Sequence, residues 1–231
     1  MFDPVIGFTA GLIASLAEPL GSTPLAIIVF TVLVRLLLLP LSVMQARGER
    51  ARTRLAPQVQ RLRKRHERDP ERLRRELSAL YAKEGTSPLA GCLPSLAQAP
   101  FLLVTYQVFI SSTIAGQANA LLTHGLLGVP LGQQFAGTVA GFGLLSGPTL
   151  VFAGLFVLLV AVAWITSRRI RRTMSPDVQP AALRRLMPLL PYGTVLAAMV
   201  LPLAAGIYLL VSTAWTAGER AVLHRPALTA G

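Results

Sequence analysis

One charged side chain sits where hydrocarbon is expected. In TVLVRLLLLPL, residues 31–41, Arg35 has aliphatic residues on both sides. A guanidinium keeps its charge and offers several N–H donors in a rigid fork, so in a medium of low dielectric it attracts carboxylates and carbonyl oxygens strongly. Groups suited to covalent chemistry lie elsewhere. His66, His124 and His224 fall outside the apolar stretches, and none of those stretches holds an Asp, which excludes an intramembrane protease. Cys92 is the single cysteine, so neither an intrachain disulfide nor a cysteine-based metal site can form. No Walker-type glycine loop occurs, and no cofactor or metal is expected. What remains for Arg35 is to hold an anion. Thr31, one turn earlier on the same face, is a candidate neighbour; Gln98, Gln107, Thr166 and Tyr208 are polar residues of other apolar stretches that could converge on it.

The elements that must position Arg35 are membrane spans. Of 231 residues, 53% are hydrophobic and 14% charged, with a mean hydropathy of +0.58. A soluble domain of this size carries far more charge. The formal net charge is +12, and its distribution decides what it means. Thirteen of the 22 Lys and Arg lie between Arg47 and Lys83, and six lie between Arg168 and Arg185. Arg220 and Arg225 are in the tail, and Arg35 stands alone; residues 1–34, 84–167 and 186–219 hold none. Such segregation is sharper than DNA binding requires, so no DNA partner is expected. It matches the positive-inside rule, with the basic segments cytoplasmic. The N-terminus has no features of a signal peptide, lipobox or transit peptide.

Residues 1–21 carry Val5, Phe8, Leu12 and Leu16 at helical spacing without Lys or Arg, as an amphipathic helix on the outer interface does; the alternative is the first part of a longer span. A first span over residues 22–46 follows. Residues 47–88 then change character: Leu55, Val59 and Leu62, and later Leu73, Leu77 and Leu80, keep an apolar stripe amid arginines and glutamates. Asp69-Pro70 starts the second arm of what reads as a cytoplasmic helical hairpin with thirteen positive and six negative charges, +7 in all. Its basic faces read either as solvated coiled-coil surface or as a docking site for anionic headgroups or ribosomal RNA. Residues 93–113 form a second span, 114–146 an uncharged Gly-rich outer loop, 147–167 a third span, and 168–185 a basic cytoplasmic loop. The last apolar stretch, residues 186–217, is 32 long, where two ordinary spans take about 40. Basic flanks on both sides still require an even number of crossings. Two short spans, 186–200 and 202–218, turning near Leu201-Pro202, satisfy this with local thinning of the bilayer. Residues 219–231 form a cytoplasmic tail. The expected fold is all-α: five transmembrane helices, N-terminus outside and C-terminus inside.

On a straight helix Arg35 lies roughly 18 Å from the outer end of its span and about 15 Å from the cytoplasmic end near Gln45, too deep for full snorkelling. An arginine at mid-bilayer costs about 2.5–3.5 kcal/mol on insertion scales. With no Asp or Glu inside the five expected spans, its partner at rest is expected to be water in a cavity facing the bundle interior. The competing view, a headgroup anchor in a differently registered span, would leave residues 36–41 in the interface.

These stretches resemble the YidC/Oxa/Alb family of membrane protein insertases over roughly residues 1–224. The resemblance rests on PLAIIVFTVLVRLLLLPLSV with its central arginine, on LYAKEGTSPLAGCLPSLAQAP after the basic hairpin, and on LPLAAGIYLLVSTAW in the last span. It implies an insertase and chaperone rather than an enzyme: a five-span core with a hydrophilic groove open to cytoplasm and lipid and closed to the outside, in the bacterial cytoplasmic membrane. Arg35 would attract acidic or polar parts of nascent membrane-protein clients, with Thr31 and Gln98 at polar groove positions. Contacts with the ribosome and the Sec translocon are expected, alongside Sec-independent insertion. Leu209 stands where many relatives have an aromatic residue, and Thr166 about where they often have glutamine. The chain is similar to the shorter Gram-positive form, without a large periplasmic domain or long basic tail. The rival class is a small transporter or channel with a buried arginine in its pathway, but the internal repeats or paired intramembrane ions usual there are not found.

Overall fold

Pro40 shapes the part of the chain that carries Arg35. A proline within a helix removes a backbone donor, and its ring collides with the carbonyl four residues earlier, here that of Leu36. In the computed structural model, which describes residues 3–85, 87, 93–114, 116–173 and 181–223, the first apolar stretch is accordingly broken. Helix α1 (Asp3–Leu20) leads into α2 (Thr23–Leu37), which meets α3 (Leu39–Arg65) at Leu38 with a bend of 55°. Cys92 and most of the segment before it, the middle of the 168–185 loop, and His224 and Arg225 with the tail lie outside the described residues.

Gly21, at φ +61°, takes the left-handed conformation that turns α1 back onto α2. Ser22 then caps α2, its Oγ accepting from the Leu25 amide at 3.4 Å. Ile13 and Thr9 of α1 face inward, while Val5, Phe8 and Leu12 are exposed. Of the apolar stripe read from the sequence, these three residues point outward, whereas Leu16 packs against the core with the inward face.

Helix α3 runs unbroken from the bend to Arg65, a rod of about 40 Å. The end of the first apolar stretch and the first hairpin arm are thus one helix. Helix α4 (Pro70–Lys83) returns along it, capped by Asp69, whose Oδ1 accepts from the Arg72 amide at 3.0 Å. Arg54 and Glu84 pair across the arms at 2.7 Å. No residue of α4 is buried, and Leu55, buried on the opposite arm, lies outside the main core cluster.

Helix α5 (Leu93–Ile110) packs against α1 and α3. The segment expected to be an outer loop carries two short strand pairs: β1 (Thr113–Ile114) pairs with β2 (Gln117–Ala118), and β3 (Gly125–Leu126) with β4 (Val129–Pro130). These two-residue antiparallel pairs depart from a strictly all-α reading of a mostly helical chain. Buried Asn119 holds the segment to the end of α5, its Nδ2 donating to the carbonyls of Val108 (2.8 Å) and Ser111 (3.0 Å). After α6 (Phe135–Phe142), α7 (Gly147–Thr173) is the one unbroken helix among the described residues long and apolar enough to cross a membrane; the bent α2–α3 pair passes the same test when taken together. Then come α8 (Ala181–Leu186), a 3₁₀ stretch (Met187–Tyr192), α9 (Gly193–Val200) and α10 (Leu203–Leu223). The break between α9 and α10 falls at Leu201 and Pro202. The amides of Leu203 and Ala204, free at the helix start, donate to the carbonyls of Gln133 and Leu131, both at 2.9 Å.

The core gathers Ile13, Ile27, Phe109, Phe152, Leu155 and Leu203 with their neighbours. At Gly206 a Cβ would lie 2.7 Å from Leu155 Cδ2, so α10 and α7 approach as closely as a glycine allows. Further along both helices, toward their basic ends, this dense packing gives way to a cavity.

Candidate functional site

Arg35 lies one turn before the bend, and its Nη2 donates to Ser212 Oγ on α10. Ser212 is buried. Tyr208, one turn earlier on α10 and also buried, interacts with both Ser212 and Arg35. Its ring packs on Phe109 of α5 with centroids 5.6 Å apart, which fixes the wall behind the guanidinium. Arg35 Nε is buried without a hydrogen-bond partner. The guanidinium borders a cavity of about 180 Å³ whose polar lining comprises Thr166, Thr194, Ser212, Thr213, Thr216 and Arg220.

That lining has one chemical character. The Thr166 hydroxyl donates to Val162 O (2.8 Å), Thr194 to Pro191 O (2.7 Å), Thr213 to Leu209 O (2.7 Å) and Thr216 to Ser212 O (2.9 Å). With each proton committed to a backbone carbonyl of its own segment, these oxygens are left as acceptors. Arg35 and Arg220 are the charged donors that line the space. An anionic or carbonyl-bearing group entering it meets two guanidinium groups, and amide N–H groups meet hydroxyl oxygens. Such a lining suits polar polypeptide better than hydrocarbon.

Helix register sets where this space begins. On α7, Phe152, Leu155 and Leu159 are buried in the core, whereas Val162, Ala163 and Thr166 line the cavity. On α10 the core residues run from Leu203 to Tyr208 and the cavity residues from Ser212 to Arg220. Arg35 marks the same level on α2. Arg169 of α7 ties the two helices at the cavity's edge, its Nη1 donating to the carbonyl of the lining residue Ala217 at 2.9 Å.

Of the residues singled out from the sequence, Arg35 and Thr166 line this cavity, and Tyr208 adjoins it through Ser212. Thr31 is buried one turn from Arg35, with its hydroxyl donated to Ile27 O at 2.7 Å. Gln98 is buried elsewhere, its Nε2 3.4 Å from Ser42 Oγ on the far side of the bend. Gln107 is exposed. The expectation that only water attends Arg35 at rest is corrected, because Ser212 accepts from it directly. The expectation of no acidic neighbour is corrected too. Helix α10 continues to Leu223, and Glu219, with its Oε1 buried and without a hydrogen-bond partner, exerts its charge on Arg35. Both residues were discoverable: Tyr208, Ser212, Thr216 and Glu219 are spaced 4, 4 and 3 apart, a polar stripe along one helical face.

The bend also shortens the separation of Arg35 from the end of the apolar stretch. Arg35 lies three residues before Leu38, and Gln45 follows seven residues later. Measured along the axis of α2, with α3 inclined by 55°, Arg35 and Gln45 are about 10 Å apart rather than about 15 Å.

Comparison with known proteins places these residues in a wider set. The family model described as 60Kd inner membrane protein matches residues 15–229. The chain is similar to the membrane protein insertase YidC of Streptomyces avermitilis, 29% identical over 224 residues, covering 90% of this chain and 52% of that protein. It is 42% identical over 105 residues to the membrane protein insertase YidC 1 of Halalkalibacterium halodurans, covering 44% of this chain and 41% of the relative. It is 35% identical over 114 residues to the membrane protein insertase MisCA of Bacillus subtilis, covering 48% and 41%. The matches thus take in about half or less of each relative's length.

Proposed function

The chain belongs to the 60Kd inner membrane protein family, and from that premise we propose that it is a membrane protein insertase and chaperone of the bacterial cytoplasmic membrane. It receives nascent membrane proteins in a hydrophilic groove, open to cytoplasm and lipid and closed to the outside, and releases them into the bilayer. Five spans build it: α2 with the start of α3, then α5, α7, the 3₁₀–α9 unit, and α10. The N-terminus is outside and the C-terminus cytoplasmic, which puts the basic ends of α3, α7 and α10 on the cytoplasmic side.

A single observation carries this reading: a guanidinium among apolar helices borders a cavity whose other polar groups are mostly acceptors. Placing arginine at mid-bilayer costs about 2.5–3.5 kcal/mol, and a side-chain hydrogen bond inside a membrane protein returns about 0.6 kcal/mol and at most about 1.7. Ser212 therefore offsets part of the cost while leaving other N–H groups for a client. The remaining donors suit a client's carboxylate or backbone carbonyl, held in a dielectric where the attraction exceeds that in water.

Geometry supplies the rest of the mechanism. A hydrophilic client segment has about 30 Å of hydrocarbon to cross. Entry at a level about 10 Å above the cytoplasmic boundary shortens the dry part of that path, and the short helix α9 favours local thinning. The core above Arg35 stops water and ions from following the segment outward. Exposed apolar residues on α7, including Val157, Leu158 and Trp164, give the client's apolar segment a lipid-side surface to slide along. Hydrophobic partitioning then drives release, with membrane potential as a further source of work on charged tails, and no covalent step is needed.

Arg35, Thr166 and Tyr208 are assigned to the groove wall, Thr31 and Gln98 to its supporting shell, and Gln107 to an outward-facing surface of α5. The basic hairpin is assigned to capture, in contact with anionic headgroups and the ribosome, with the Sec translocon as a neighbour for larger clients. Insertion of a single-span client with a short acidic translocated tail, measured by protease protection, tests the proposal. Arg35→Ala is expected to impair insertion severely while the protein still accumulates, and a basic tail is expected to show the opposite sensitivity. Unimpaired insertion of the acidic client by Arg35→Ala would overturn the assignment of Arg35.

A further inference from the structure

Beside the cavity, between its lining residues Ala217 and Arg220 in sequence, stands an acid that no step above employs. Glu219 lies seven residues beyond Ser212 on the same face of α10, two helical turns or about 10 Å along the axis. Helical side chains lean toward the N-terminus and cover the preceding turn, so Glu219 lies over the turn that carries Trp215 and Thr216. Its Oε1 is buried without a hydrogen-bond partner, as is Arg35 Nε. Glu219 as a whole is only half-buried, so its charge persists beside the guanidinium, and opposite charges attract. The two groups are close enough to feel each other's charge, yet neither of these atoms is saturated. They stand as a pair that another carboxylate can enter.

We propose that Glu219 is a displaceable counter-ion of Arg35, which neutralises the site at rest and sets how acidic a client segment has to be to occupy it. The inference rests on the insertase reading above and adds a specificity-determining residue to it. At rest Arg35, Arg220 and Glu219 give the region a net charge of +1; without Glu219 it is +2. A client carboxylate that enters takes over the Arg35 donors, and Glu219 is released toward Arg220 and toward Trp215. The Trp215 Nε1–H, one turn earlier on α10, is a buried donor that lacks a partner. Clients without an acid cannot replace the charge they displace and are held less firmly.

The test uses the full-length protein in proteoliposomes. The two clients are a single-span peptide whose translocated tail carries two aspartates and the same peptide with two asparagines in their place. The readout is the ratio of their insertion yields. Glu219→Gln removes the charge and keeps the shape, and is expected to raise the aspartate-to-asparagine ratio about three- to tenfold, the scale of one solvent-screened ion pair. In an Arg35→Ala background the same substitution is expected to leave the ratio unchanged. Glu219→Gln/Thr216→Glu, which moves the acid one turn along the same stripe, is expected to restore the wild-type ratio; should Glu219→Gln alone fail to accumulate, this variant carries the test, and a ratio equal to that of Arg35→Ala would count against the proposal. An unchanged or lowered ratio in Glu219→Gln, with Arg35→Ala still defective, would overturn the counter-ion role and leave the insertase reading standing. Insertion unaffected by Arg35→Ala would remove both.

Discussion

Ser212→Ala removes one oxygen, and the structure fixes what should follow. That oxygen accepts from Arg35 Nη2. Hydrogen bonds to charged groups contribute about 1.5–3 kcal/mol in water-soluble proteins. Side-chain hydrogen bonds measured inside a membrane protein average about 0.6 kcal/mol and reach about 1.7. The lower range applies here, because Arg35 borders a cavity of about 180 Å³. At about 30 Å³ of liquid per water, that space has room for a handful of molecules able to replace the lost acceptor. The expected loss is therefore about 0.5–1.5 kcal/mol, or a few degrees in Tm for a chain of this length. Arg35→Ala should behave differently. It loses the same bond and also removes the guanidinium whose insertion costs about 2.5–3.5 kcal/mol, so its stability should equal or exceed that of the parent. In the double variant, Ser212→Ala should cost nothing further, giving a coupling of about 0.5–1.5 kcal/mol between the two positions. Reversible unfolding in mixed micelles, with all four proteins compared, reads this cycle. Additive losses, or an Arg35→Ala variant destabilised by more than about 3 kcal/mol, would refute the picture of a functional guanidinium retained at a cost in stability.

Other perturbations separate fold from function. Gly206→Val sets a branched side chain against Leu155 where a Cβ alone comes within 2.7 Å; a loss of about 1–3 kcal/mol from overpacking is expected in the same unfolding assay, with Gly206→Ala milder. Asn119→Ala strips two donors from buried carbonyls at the end of α5 and should cost about 1–3 kcal/mol, visible as faster proteolysis of residues 111–134. Deleting residues 50–80 should weaken client capture, measured by co-purification of stalled ribosome–nascent chains, while the remaining helices still accumulate in the membrane, because α4 buries no residue and Leu55 of the deleted α3 arm lies outside the main core cluster.

What the sequence reveals about this site follows from the range of the interactions involved. Arg35 is legible because a lone charge in an apolar stretch contradicts its neighbours, and the break at Leu201 and Pro202 because charge parity and chain length leave room for little else. The 55° bend is signalled by Pro40, but its angle depends on what α2 and α3 pack against. Glu219 escapes a reading that ends the last span at residue 218, although its spacing from Tyr208 and Ser212 marks it as part of the same face. Residue type alone misjudges Gln98 and Gln107: both are polar within one apolar helix, yet one is buried against Ser42 and the other is exposed, and only tertiary packing assigns their faces. The order in residues 116–134 is still less legible, since Asn119 acts through carbonyls at Val108 and Ser111 and α10 begins on carbonyls of Leu131 and Gln133.

The most direct measurement is photo-crosslinking to a nascent single-span client stalled on the ribosome, with the reactive residue placed in turn at positions 166, 194 and 216 on the cavity wall and at 107 on the outward face of α5. Adducts from all three cavity positions, lost on Arg35→Ala and weak or absent from position 107, are expected if the polar cavity beside Arg35 is where clients are held. Equal labelling from position 107, or cavity labelling indifferent to Arg35, would contradict it.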